Sequence, residues 1–383
     1  MQFRNFDVEG FLRETWQRRP LLIRNPWAEW VNPLEPDDLA GLACEAGIES
    51  RLMTRTDDGW KLGHGPFAPS RFAKLGRAPW TLLVQAVNHA VSDVAALVEP
   101  FRFVPDWRID DVMVSYAVDQ GGMGPHYDHY DVFLIQGLGK RLWQVGAKCD
   151  ASSELLPHDD LRLLADFQPT EEWLLEPGDV LYVPPGVAHN GVAVGDDCMT
   201  YSIGFRAPAR SELVAHWCDD VLSRLDDDDR YADPDLKTQA NPGEITADAL
   251  AALRTMVTEK LLDDAGFARW FGEFNTARKY PDVDWQPEQP LTAAELRREL
   301  AAGRPLLRNP ASRFSFVRQD ADPLLLFVDG DCHECTGEAA ALAELLCAAP
   351  DNVIPAALVQ SAAVITLLET LYNQGCVEFA EED

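Results

Sequence analysis

Through the first 207 residues, apolar and polar positions alternate in short bursts; beyond them the spacing turns helical. Val8-Glu9-Gly10-Phe11-Leu12 predicts an amphipathic helix ending near 16–20, and Leu21-Leu22-Ile23 a short buried strand. Pro36-Asp37-Asp38 caps a second helix over 39–46. Residues 50–62 alternate around Asp57-Asp58-Gly59, the pattern of a hairpin. The apolar run 80–87 fits helix or strand, 90–97 reads as a helix, and 111–118 as a strand leading to the Gly121-Gly122 turn. Strand, turn and strand follow over 132–136, Gly137-Leu138-Gly139 and 140–145, with a further short strand at Val180-Leu181-Tyr182-Val183 and another over 200–205.

After Pro208 the periodicity predicts helices over 211–225, 247–263 and 267–276, with Asp226-Asp227-Asp228-Asp229 as a solvated loop. A proline-rich stretch, 281–290, reads as a linker. Beyond it come helices over 292–302, 338–348 and 362–373, with short strands at 306–308, 314–317, 324–328 and 377–379. Helices with a small β-wing suggest a winged-helix module. The expected architecture is α+β in three parts: a double-stranded β-helix barrel over 1–207, a helical segment over 208–290 and a winged helix over 291–383.

Composition narrows the partners. The 383 residues carry a formal net charge of −30, which opposes direct binding to DNA or RNA, also through the winged helix, and favours a basic protein or peptide. The 8 cysteines are scattered and form no disulfide framework. Cys332-His333-Glu334-Cys335 has the spacing of a zinc knuckle but no matching second pair, so a polar hairpin tip is expected there. The opening Met-Gln-Phe-Arg-Asn-Phe-Asp lacks signal-peptide character and no apolar run reaches membrane length, which makes a reducing cytoplasm the expected setting.

The chemistry is concentrated in Gly124-Pro125-His126-Tyr127-Asp128-His129-Tyr130-Asp131-Val132-Phe133, which holds two consecutive His-x-Asp triplets. Side chains two apart on a strand share a face, so either triplet can offer an imidazole and a carboxylate to one metal ion. With 8 His and many Asp, about one such triplet is expected by chance, so the triplet alone decides nothing. A second motif changes this: Gly178-x5-Pro184-x-Gly186-x2-His189 places a histidine after two tight turns and a short strand. Two imidazoles and one carboxylate leave positions open on a metal such as Fe(II), which can then hold a co-substrate and O2. By spacing, His126-x-Asp128 and His129-x-Asp131 are equivalent; on a strand they would occupy opposite faces.

These motifs, with Trp107-Arg108-Ile109-Asp110-Asp111, Ile135-Gln136-Gly137, Gly204-Phe205-Arg206-Ala207-Pro208, Gly63-His64-Gly65-Pro66-Phe67 and Leu83-Val84-Gln85-Ala86-Val87-Asn88-His89, resemble the bacterial JmjC ribosomal oxygenases over essentially the whole chain. The resemblance implies a JmjC (cupin) barrel, a helical dimerisation segment and a C-terminal winged helix. It assigns iron to His126, Asp128 and His189, and the 2-oxoglutarate carboxylate to Arg141 with Ser115 adding a hydroxyl; Lys140 is the alternative base. The implied reaction consumes 2-oxoglutarate and O2 and hydroxylates an arginine of a large-subunit ribosomal protein. Histidine hydroxylation is the nearest alternative, and a non-catalytic metal-binding scaffold a further one. A homodimer is expected through apolar helix faces carrying Leu250, Leu253, Met256 and Leu261. Two departures, His129 in place of a Gln and Asp119 in place of a Pro, bear on substrate fit. Asp119, on the loop before the motif, is expected at the barrel mouth to meet the substrate guanidinium.

Overall fold

The computed structural model describes residues 2–4, 6–56, 59–76, 78–319 and 322–380, which divide into two compact units, 1–207 and 208–383. Asp57 and Asp58 of the expected hairpin turn lie outside the described residues.

In the first unit, helix α1 (Val8–Glu14) starts where the Asp7 carboxylate accepts the Gly10 N–H, at 2.9 Å. Helices α2 (Pro36–Leu42) and α3 (Ser92–Ala95) follow in the chain. The helix expected over 90–97 shrinks to α3, and a 3-10 stretch over Ala96–Phe101 contains Pro100, whose missing N–H interrupts the α-helical ladder. The strands are β1 (Leu21–Ile23), β2 (Ser50–Thr56), β3 (Gly59–His64), β4 (Trp80–Val84), β5 (Ile109–Ala117), β6 (Val132–Lys148), β7 (Pro169–Leu175), β8 (Val180–Val183) and β9 (Val187–Phe205). They form one antiparallel sheet in the order β1-β8-β6-β9-β5-β4-β2-β3, with β7 on the other part of β6.

No chain reversal occurs at Gly137-Leu138-Gly139. β6 passes through as one strand of 17 residues, and the expected third strand is the end of a 19-residue β9. Register shifts between Gln136 and Lys140 bend β6 against β9, so that both strands contribute to two walls. That bend closes the double-stranded β-helix and carries Arg141 inside, where a hairpin tip would have left it in solvent.

Alternation then sorts the side chains. Val112, Val114, Phe133, Ile135, Tyr201 and Ile203 face a core shared with Phe11, Trp27 and Phe101 from the N-terminal segments. Their neighbours Met113, Ser115, Val132, Leu134, Thr200 and Ser202 face the other way and line a cavity. One face of the sheet stabilises the unit and the other is left for chemistry.

In the second unit, α4 (Arg210–Ser223), α5 (Ala247–Leu261) and α6 (Asp264–Thr276) meet around Trp217, Val221 and Trp270. Helix α6 also lies on the β-wing: a Cβ on Gly272 would come within 2.4 Å of the Phe327 ring, so only glycine permits this approach. The remaining elements are α7 (Ala293–Ala301), β10 (Leu306–Arg308), β11 (Phe314–Val317), β12 (Leu324–Val328), β13 (Asp331–Cys335), α8 (Glu338–Ala348), β14 (Asp351–Asn352), α9 (Ala356–Val359), α10 (Ala362–Asn373) and β15 (Val377–Phe379). They form two three-stranded sheets, β14-β10-β15 and β11-β12-β13, around a second apolar core. Cys332-His333-Glu334-Cys335 is not a hairpin tip. It lies in β13 and pairs with β12, the turn falling at Asp329-Gly330, where both φ angles are positive.

Candidate active site

His126 and Asp128 do not lie on a regular strand as their spacing suggested; they precede β6. His126 pairs instead with His189 at the start of β9: the His126 N–H donates to the His189 carbonyl at 3.0 Å and the His189 N–H to the His126 carbonyl at 2.8 Å. This bridge sets the imidazoles side by side, with ring centroids 4.3 Å apart. Asp128 joins them, its Oδ2 3.5 Å from His189 Nε2. Its backbone carbonyl accepts the Gly186 N–H at 2.7 Å, and Gly186 has φ +80°, a conformation glycine adopts at no steric cost. The Pro-Pro-Gly turn thus fixes Asp128 and His189 together. Among the described residues, His126, Asp128 and His189 are the set of three whose ligand atoms, all within 4.8 Å of one another, could hold a metal ion.

The tautomers suit metal binding. Nδ1 of His126 faces the Gly124 carbonyl at 2.9 Å and Nδ1 of His189 faces the Val187 carbonyl at 3.0 Å, so each Nδ1–H donates and leaves the Nε2 lone pair toward the cavity. Burial, then the neighbouring His126, lowers the pKa of His189 to about 4 against the opposing pull of Asp128. The imidazole is therefore neutral near pH 7, as a ligand must be.

The second triplet is divided between solvent and core. His129 is exposed, its ring edge-on to Tyr127. Asp131 is fully buried and accepts from Tyr182 Oη at 2.6 Å, Gln17 Nε2 at 2.9 Å and Arg108 Nη2 at 3.3 Å. Burial raises its pKa, and these donors pull it back. Its work is to tie the N-terminal segment to the barrel.

The cavity beside the triad has a volume of about 290 Å³. On one wall Arg141 is 3% exposed; its Nε–H donates to Cys198 Sγ at 3.4 Å, and its guanidinium lies 5.7 Å from the centre of the Trp143 ring. Its Nη2 is buried with no hydrogen-bond partner among the described residues, as is Trp143 Nε1. Buried donors of this kind are costly unless a ligand meets them, and a guanidinium matches a carboxylate. Ser115 lies on the facing strand β5, opposite Thr200 of β9, and both line the cavity. A dicarboxylate fits this donor set. Lys140 points outward and pairs with Glu176 at 2.5 Å, which leaves Arg141 as the base inside.

The lining also carries carboxylates, next to Arg51 and Arg206, but Asp119 is not among them. Asp119 is exposed and outside the cavity lining, where its Oδ1 accepts the Gly195 N–H at 2.7 Å and holds the β9 bend. Asp110 and Asp111 of β5 line the cavity instead, with Tyr130. Counting back by twos along β5 from Ser115 reaches Met113 and then Asp111, but the ladder is irregular between Ile109 and Val112, so alternation alone does not settle Asp111.

The β-helix barrel and its His/Asp/His cluster place the chain in the JmjC class. The JmjC domain family matches residues 96–213, and the ROXA-like winged helix family matches 259–378. The chain is 42% identical to the ribosomal protein uL16 3-hydroxylase of Escherichia coli over 298 residues, covering 78% of this chain and 79% of that protein. The E. coli ycfD crystal structure superposes with a TM-score of 0.90 at 35% identity, covering 99% of this chain and 100% of the other. The E. coli YcfD ribosomal oxygenase in complex with cobalt and 2-oxoglutarate gives 0.86 at 35%, covering 99% of each. The chain belongs to the JmjC ribosomal oxygenase family.

Proposed function

We propose that the chain is an Fe(II)- and 2-oxoglutarate-dependent oxygenase that hydroxylates an arginine side chain of a large-subunit ribosomal protein. The observation that carries this reading is one cavity holding three neutral-or-anionic metal ligands, a buried guanidinium with an unmet N–H, and two further carboxylates, Asp110 and Asp111, in its lining. His126, Asp128 and His189 would hold Fe(II), while Arg141 and Ser115 would anchor the distal carboxylate of 2-oxoglutarate. Fe(II) held there would supply O2 activation, with 2-oxoglutarate and O2 consumed to succinate and CO2, one oxygen atom going into succinate and the other into a substrate C–H bond. The chain's own part is placement. Val132, Leu134 and Trp143 give the cavity an apolar lining that limits water. Asp110 and Asp111 attract a cationic side chain to the mouth, a carboxylate being the natural partner of a guanidinium. That chemistry favours arginine over a neutral histidine. Mass spectrometry of large-subunit proteins from cells with and without the gene tests this: a +16 Da arginine lost on deletion is expected, and a +16 Da histidine instead overturns it.

The same reading makes the substrate a basic ribosomal protein, with no direct contact to nucleic acid, and places the work in the cytoplasm. No helix among the described residues is long and apolar enough to cross a membrane. Residues 208–290 would serve as the dimerisation segment. Helix α5 has no buried residue, and Leu250, Leu253 and Val257 on it are exposed, as are Val214 and Leu222 on α4. Leu261, expected in that interface, packs half-buried on the Trp217 cluster. Light scattering should give twice the chain mass, and Leu250→Asp with Leu253→Asp should halve it; a wild-type monomer at micromolar concentration removes the proposal.

A further inference from the structure

The segment Gln85-Ala86-Val87-Asn88, which follows β4, touches neither the metal ligands nor the buried arginine, yet it is built with unusual constraint. Ala86 is buried and sits in the left-handed region at φ +51°, ψ +38°, which residues with a Cβ seldom adopt. The turn directs two side-chain amides onto the start of β5. Asn88 Oδ1 accepts the Val112 N–H at 2.8 Å, and Gln85 Nε2 donates to both oxygens of Asp111, at 3.1 and 2.8 Å. Here β5 is irregular: Ile109 faces Phe205 and Val112 faces Ile203, so three steps on β5 span two on β9 and one residue is extra. A bulge of this kind leaves the direction of Asp111 undetermined by the sheet, and the two amides supply what the ladder does not.

Arg51 completes the chain. Its Nη2–H donates to Gln85 Oε1 at 3.3 Å. A guanidinium can only donate, so it holds the amide oxygen to itself and turns the amide NH2 toward Asp111. The relay is neutral where it meets the carboxylate. The amide stands between the Arg51 guanidinium and the Asp111 carboxylate, and its hydrogen bonds fix the direction of that carboxylate in the cavity lining.

We infer that Gln85, locked by Arg51, is a positioning residue that aims Asp111 at the cationic side chain of the substrate and so sets specificity for charge. The inference rests on the arginine reading above. Its test is a double-mutant cycle read by binding. Fluorescein-labelled uL16 peptides tiling its arginines, and the same peptides with citrulline, the neutral isostere, are titrated into the Mn(II)- and 2-oxoglutarate-loaded protein under nitrogen. Gln85→Met keeps the side-chain volume and removes the donor. It should weaken the arginine peptide about tenfold, leave the citrulline peptide nearly unchanged, and cost nothing further in an Asp111→Asn background. Equal losses for both peptides, or additive losses in the cycle, overturn the role of Gln85. An Asp111→Asn protein that binds the arginine peptide like wild type instead overturns the reading of Asp111 itself, and the two failures are thereby separated.

Discussion

The two His-x-Asp triplets lie three residues apart, share their chemistry and end in opposite environments. His126 and Asp128 stand before β6, where the bridge to His189 and the Gly186 turn bring them to the cavity. His129 and Asp131 follow, one in solvent and the other in the core beneath Tyr182. Spacing gives the same offer of ligands; what differs is whether a third ligand lies within reach and whether donors already occupy the carboxylate. The same contrast recurs between Arg141 and Lys140, and between Asp111 and Asp119. In each pair one member faces the cavity and its chemical twin has a structural or surface task.

The sharpest way to break the comparison is at the aspartates. Asp128→Ala should reduce 2-oxoglutarate turnover below detection, because two neutral imidazoles hold Fe(II) poorly, while thermal stability changes little. Asp131→Ala should do the reverse. It leaves the Tyr182, Gln17 and Arg108 donors without their buried acceptor, a loss of about 3–5 kcal/mol in unfolding free energy, with turnover per folded molecule retained. Denaturant titration beside an oxygen-consumption assay distinguishes the two. Lost turnover in a folded Asp131→Ala, with activity intact in Asp128→Ala, would exchange the triplets.

The basic pair comes next in size. Arg141→Ala should raise the KM for 2-oxoglutarate by about ten- to a hundredfold, the range expected for a charge-assisted hydrogen bond to a carboxylate, with metal binding intact. Lys140→Ala breaks an exposed pair with Glu176 and should change that KM by less than about twofold. Steady-state kinetics in 2-oxoglutarate decides between them, and a larger effect at Lys140 would move the anchor outside the cavity.

Much of this is legible in the sequence alone. The short strands, the helices after Pro208 and the Pro-Pro-Gly turn before His189 follow from period-two and period-3.6 spacing and from turn residues acting locally. What escaped was long-range. Gly137 and Gly139 read as a reversal, yet β9 lies alongside the whole of β6 and holds it extended through the bend; there the pairing is made with residues about sixty positions away and leaves no local mark. β7 was missed because Pro169–Leu175 is polar and mostly exposed, with little apolar alternation to reveal a strand. The twin triplets were inseparable for the same reason. Nothing near Asp131 announces Tyr182, Gln17 or Arg108, and only the resemblance to the oxygenase family favoured the first triplet.

The acidic pair gives the smallest and most discriminating contrast. Asp119 is tied to the Gly195 N–H outside the cavity, so Asp119→Ala should cost at most about 1 kcal/mol of stability and leave the KM for an arginine-bearing ribosomal peptide within about twofold of wild type. Asp111 is 3% exposed and lines the cavity, where the low local dielectric strengthens its pull on a cation. Asp111→Asn keeps the shape and one of the two Gln85 contacts while removing the charge, and should raise the peptide KM about tenfold with little change in the KM for 2-oxoglutarate. A change confined to the peptide means the carboxylate meets the substrate. A parallel change in both constants would mean that Asp111 only shapes the barrel, and a peptide effect confined to Asp119→Ala would return the substrate contact to the loop before the motif.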